Sequence, residues 1–340
     1  MEINIFALSG LITFITTLSL GVLTWLKRRN KVHKLWSYFN FAAAIWGFGA
    51  FKFSSTLNKD AVFFWLYLSH IGVVFIPVFY LHFSLEFLEE KKESLIKLIY
   101  ILGVIFFITN ITDWIGITKI FIVSIRYVFN SFYVDSPPGP IYPIFVAFFF
   151  SSVGYAFYCG IKKLKKSEGL NKLQIKYFLI ANGIGFLGGG TAFFMVFNID
   201  IYPYYHLLVP LYPILTTYAI IKYRLMDIRV AITRGMIFGV VYILILGVPF
   251  GIAILGENTL FQVFGKKLWI IPVILTAAIA SLGPTIYSKI KEKAEWTLFR
   301  EQRKYRQALI SLGKKMNLTR DLKELLNLIT KSITKDVGVS

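Results

Sequence analysis

Of the ionisable side chains inside or at the ends of long apolar stretches, four fall toward one side: Lys52, His70, Asp113 and His206. A charge at the centre of a bilayer costs about 2.5–3.5 kcal/mol, so each is a candidate for binding rather than filler. With Trp114 next to Asp113, these residues can rim a pocket that opens outward. An ammonium, a carboxylate and two imidazoles would hold a ligand there by charge and hydrogen bonds. The competing reading makes His70 a neutral imidazole with one partner, and lets Lys52, Asp113 and His206 snorkel to the interface. His82 and Glu86 fall toward the opposite side, where Glu86 can meet Lys91 or Lys92. No His, Cys, Asp or Glu spacing matches a metal site, so neither a metal nor another cofactor is expected. No nucleophile–base pair is recognisable either. Cys159 is the only cysteine, which excludes an intrachain disulfide and leaves it a small buried apolar role.

The elements that must position these residues are nine apolar stretches, each long enough to cross a bilayer at 1.5 Å per residue. They cover 4–26, 35–55, 61–83, 95–116, 141–161, 175–197, 205–223, 236–255 and 269–288. The expected fold is all-α: a polytopic membrane helix bundle with a cytoplasmic helical stalk. Composition agrees, with 56% hydrophobic and only 16% charged residues, against about 25% charge in soluble domains. The loop 117–140 mixes Phe121, Ile122, Tyr127, Phe132 and Tyr133 with a Pro/Gly turn, and suits a lid or an interfacial segment. Gly183, Gly185, Gly188, Gly189 and Gly190 look like a phosphate loop only in composition. Inside a span they read as a close helix contact. Pro77, Pro210, Pro213, Pro249, Pro272 and Pro284 mark kink sites.

The net charge of +19 is placed by topology. Lys and Arg gather in alternate loops, around 27–34, 91–97, 162–176 and 222–234, while the intervening loops hold few. The positive-inside rule then puts the N-terminus outside and the C-terminus in the cytoplasm of a cell-membrane protein. The basic charge reads as contact with anionic lipid of the bilayer, not with nucleic acid. Trp114 and Trp269 are expected near the outer interface, Trp25 and Trp36 near the inner one. Glu2 and the absence of a small-residue cleavage site argue against a cleaved signal peptide.

Beyond residue 288 the chain changes character. Leu298, Tyr305 and Leu312 recur every seven residues, a weak heptad that suits a parallel helix pair in a homodimer. Glu301 and Lys315 break the second register, and a single surface helix is the competing reading. Leu322, Leu325, Leu326, Ile329 and Ile333 make one face of a further helix, with Thr319 as N-cap. That face has nothing to bury against before Ser340, so a partner, or chain beyond it, is expected to supply the rest.

The run Tyr218-Ala219-Ile220-Ile221-Lys222-Tyr223-Arg224-Leu225-Met226-Asp227-Ile228-Arg229-Val230 has its own physics. Lys222, Arg224 and Arg229 fix a helix end at the cytoplasmic interface, and Asp227 pairs with an arginine or caps the next turn. The run also resembles the exit from the seven-span N-terminal sensor region of bacterial histidine kinases, over roughly residues 1–235. Phe299-Arg300-Glu301 and the stretch 318–326 are similar to the linker and first helix of a GAF domain. The resemblance implies four parts: a seven-span sensor at 1–235, a two-span hairpin at 236–288, a signalling helix at 289–316 and the start of a truncated GAF-like domain at 317–340. It implies a receptor of the two-component type that relays ligand-induced helix rearrangement through Lys222, Arg224, Asp227, Arg229, Leu298, Tyr305 and Leu312. The ligand would be extracellular or membrane-soluble, and a kinase module or response regulator would lie downstream. The chain departs from a complete kinase, because no histidine follows His206 and no Gly-rich ATP lid is present. At most it is the N-terminal part of one. The alternative class is a transporter or permease for a small apolar solute, favoured by the glycines and prolines and opposed by the odd span count.

Overall fold

The computed structural model describes residues 4–223, apart from 27–29, 137, 200 and 203, together with isolated positions between 237 and 310. Contacts divide the chain into Met1–Ile232 and Thr233–Ser340, and the account below concerns the first unit. The expected spans 236–255 and 269–288, the stalk, the GAF-like start, and the relay residues Arg224, Asp227, Arg229, Leu298, Tyr305 and Leu312 lie outside the described residues, isolated positions apart. So does the side chain of Lys222.

Helix starts follow local chemistry. Asn4, Asn30 and Asn58 each accept a backbone N–H three residues on, from Ala7, His33 and Ala61. Each satisfies one donor that the first helical turn leaves unpaired. They open α1 (Ile5–Leu26), α2 (Lys31–Ser54) and α3 (Lys59–Phe87). Next come α4 (Glu93–Trp114), a hairpin of β1 (Ile125–Val128) and β2 (Ser131–Val134), α5 (Tyr142–Lys166), α6 (Gly169–Gly190), α7 (Ala192–Val196), a 3-10 turn (Tyr204–Leu208) and α8 (Leu211–Tyr223). Pro77 sits within α3 without ending it.

Among the described residues, five helical segments are long and apolar enough to span a membrane: α1, α3, α4, α5 and the continuous stretch Gly169–Val196. α2 is long but carries His33, Lys34, Asn40 and Lys52, and α8 is described over 13 residues. The bundle is apolar outside as well as inside. Ile5, Leu8, Ile12 and Ile15 on α1, and Ile101, Val104, Ile105 and Ile108 on α4, are exposed. A water-soluble protein cannot carry such stripes, and a bilayer covers them. The interior is aromatic, with Trp36, Tyr80, Phe83, Phe145 and Phe178 at 2% exposure or less. α1 and α2 meet at Gly10 and Gly47, where an added Cβ on either would lie 2.9 Å from the other's carbonyl oxygen. This is the small-residue contact that lets membrane helices pack without a hydrophobic drive.

Three expectations change. The loop 117–140 holds a β-hairpin with register Ile125↔Val134 to Val128↔Ser131, because Phe129 and Asn130 adopt the left-handed backbone of a two-residue turn. Trp36, expected in an interfacial belt, is fully buried against Phe39 and Phe83, since its ring fills the space between α2 and α3 and does not face lipid. Glu86 pairs at 2.9 Å with Lys31, not with Lys91 or Lys92, because α2 starts beside the end of α3.

Candidate functional site

The loop that leads into the hairpin is latched to the bundle by one carboxylate. Asp113, at the end of α4, accepts backbone N–H groups from Ile120 at 3.0 Å, Phe121 at 2.7 Å and Ile122 at 2.9 Å, and the Thr118 hydroxyl at 2.6 Å. Tyr67 donates to the Ile122 carbonyl at 3.2 Å. These bonds satisfy a buried loop whose donors have no sheet or helix to use. Arg126 adds a tether, donating to the Met195 carbonyl at 2.7 Å and to Asn198 Oδ1 at 3.2 Å. The guanidinium thus sits at the carbonyl end of α7, where cations are favoured.

Below the hairpin lies a cavity of about 110 Å³. Every described helix except α4 contributes to its wall, and Tyr133 and Val134 of β2 close the hairpin end. Most of the wall is apolar: Phe6, Phe39, Trp46, Phe149 and Phe193 among others. Its polar side chains are few and their protons are directed. His70 Nδ1 lies 2.8 Å from the Leu66 carbonyl, which only accepts, so Nδ1 carries the proton. In the neutral ring Nε2 then accepts the Tyr142 hydroxyl at 3.1 Å. Ser69 donates to the same Leu66 carbonyl at 2.8 Å. Tyr212 donates to Asn40 Oδ1 at 3.2 Å. Asn182 donates to the Phe178 carbonyl at 2.9 Å, while its Oδ1 is buried without a partner. Burial pushes the Tyr133 phenol pKa up, so it remains an O–H, and that hydroxyl is buried with no partner among the described residues.

Of the five candidate ligand-binding residues Lys52, His70, Asp113, Trp114 and His206, His70 alone stands in this wall. His206 is 1% exposed and backs it, with its ring 4.4 Å from that of Phe6 and 5.0 Å from that of Trp46. Neither of its nitrogens makes a sound hydrogen bond, and the Gly188 backbone is nearby. The other three are spent elsewhere. Lys52 lies 5.2 Å over the Trp65 ring, Asp113 latches the loop, and Trp114 packs on Phe64 at 5.4 Å and Tyr67 at 6.3 Å. Glycines shape the remaining side. A Cβ at Gly185 would come within 2.8 Å of Tyr212, and one at Gly188 within 2.6 Å of the Tyr205 carbonyl oxygen. Gly183, Gly189 and Gly190 are not so confined.

Asn182 is the site residue that attention to ionisable groups passed over. A lone amide inside an apolar stretch was its signal, since buried amides at membrane depth need partners. Among the described residues no cluster of three His, Cys, Asp or Glu could hold a metal ion.

No curated protein and no solved structure matches the chain. The family model of the N-terminal 7TM region of histidine kinase matches residues 10–229, a span that holds the latched hairpin, the described apolar helices apart from the first turn of α1, and the cavity wall apart from Phe6. The chain is therefore a multi-pass membrane protein that belongs to the family of N-terminal seven-transmembrane regions of histidine kinases.

Proposed function

We propose that the seven-span region is the sensing input of a two-component receptor, and that a ligand in the cavity shifts helix packing to signal inward. The observation behind this reading is that one cavity touches α1, α2, α3, α5, α6, α7 and α8 at once. Its occupant can therefore favour one arrangement of all these helices. A ligand acts only through the difference in its affinity for the two arrangements. The hairpin end faces outward in the cell membrane, the N-terminus is outside, and the lysine-rich ends and the stalk are cytoplasmic. Lys222, Arg224, Asp227 and Arg229 hold the juxtamembrane exit. Leu298, Tyr305 and Leu312 pair in a homodimer that passes rotation or translation to a GAF-like module at 317–340, and from there to a kinase module and its response regulator.

The test fuses the chain, in helical register, to the dimerisation and ATP-binding domains of a histidine kinase in proteoliposomes. Filling the cavity with Ala43→Phe or Ala192→Leu is expected to shift autophosphorylation by about fivefold in either direction, which is about 1 kcal/mol of bias. If both variants keep the parental melting temperature and the parental rate, the cavity does not control output and the reading fails.

A further inference from the structure

Most polar groups of the cavity, Tyr133 apart, share a feature that selects its ligand. Ser69, Tyr142 and Tyr212 each direct the hydroxyl proton away, to the Leu66 carbonyl, His70 Nε2 and Asn40 Oδ1. His70 directs its own ring proton to the Leu66 carbonyl. What these side chains keep is lone pairs, whereas Tyr133, also in the wall, keeps a buried hydroxyl with no partner among the described residues. Asn182 Oδ1 is more pronounced: it lies in the wall, the residue is 1% exposed, and the oxygen has no partner. A buried acceptor left unmade is costly, and a ligand that donates to it removes that cost.

We infer that the cavity binds a small, neutral, largely apolar molecule of single-ring size that donates one hydrogen bond to Asn182 Oδ1, such as a phenol. Charge is excluded by the wall, because among the described residues neither a carboxylate nor a lysine or arginine lines it, and Asp113 is committed to the loop. A cation would enter unpaired. Size follows from volume: a cavity of ~150 Å³ admits benzene, and this one is about 110 Å³. Aromatic walls at Phe6, Phe39 and Phe149 suit a ring packed edge to face. The inference deepens the sensor reading and rests on it only in taking the cavity as the ligand site.

The experiment uses the full chain in nanodiscs with three fluorinated probes followed by 19F NMR. 4-Fluorophenol donates a hydrogen bond, 4-fluoroanisole only accepts one, and 4-fluorotoluene does neither. A saturable bound signal is expected for 4-fluorophenol, absent in Ala43→Phe, with the other two probes weaker by about tenfold. Asn182→Leu is expected to bring 4-fluorophenol down to the level of 4-fluorotoluene. Equal binding of all three probes to the parent chain overturns the inference, as does binding of none, which would mean a cavity filled by water. If Asn182→Leu does not fold, the probe series on the parent chain decides alone. Binding as expected, with unchanged autophosphorylation in the cavity-filled fusions, removes the sensor reading and leaves the ligand class standing.

Discussion

Asp113 shows how a charged residue at the end of a span can be structural. Its two oxygens serve three backbone donors and one hydroxyl, so no lone pair is left for a ligand without breaking the loop. Asp113→Ala strands three N–H groups, each costing about 1–3 kcal/mol if buried. The expected result is faster hydrogen exchange at Ile120, Phe121 and Ile122 and a lower melting temperature, with α1 unaffected. Unchanged exchange at those amides would show that the latch contributes nothing. The position of Asp113 near a helix end was plain in the sequence. Its partners, seven to nine residues on in an irregular loop, were not, because no periodicity announces a backbone that folds back on a carboxylate. His70 is the reverse case: its hydrogen-bond partner was anticipated, while Tyr142, 72 residues away, could only come from packing.

At the scale of elements, the glycines of α6 divide by what faces them. Gly188 meets backbone, which cannot yield, whereas Gly189 has only Val209 Cγ2 at 3.8 Å. Gly188→Ala is expected to lower the yield of folded protein and its melting temperature, while Gly189→Ala is tolerated. Similar losses in both, measured by size-exclusion recovery and thermal unfolding, would mean that helix propensity and not contact governs this stretch. The five glycines announced a close approach without saying which of them makes it, since that depends on where the 3-10 turn and α8 return. The hairpin 125–134 was hidden for a related reason. Its apolar residues read equally well as a lid lying flat, and only the left-handed pair Phe129 and Asn130 turns the chain.

For the whole molecule, orientation can be checked in cells. In a Cys159→Ala background, Asn130→Cys lies at the exposed hairpin tip and Glu168→Cys at the exposed lysine-rich end. A membrane-impermeant maleimide is expected to label the first in intact cells and the second only after permeabilisation. The opposite pattern would invert the topology and place the cavity's closed end in the cytoplasm. The sequence by itself determined the membrane class, the bundle and the charge asymmetry, because hydropathy and charge are sums over residues and need no partner. The resemblance around residues 218–230 pointed to the family whose model matches residues 10–229. Only the tertiary structure decided which polar residues meet. Lys52, His70, Asp113, Trp114 and His206 all read as rimming one pocket, yet one lines the cavity, one backs it and three are held elsewhere. Depth is a property of position along a span, whereas a site depends on the rotation of each helix about its axis, which packing sets.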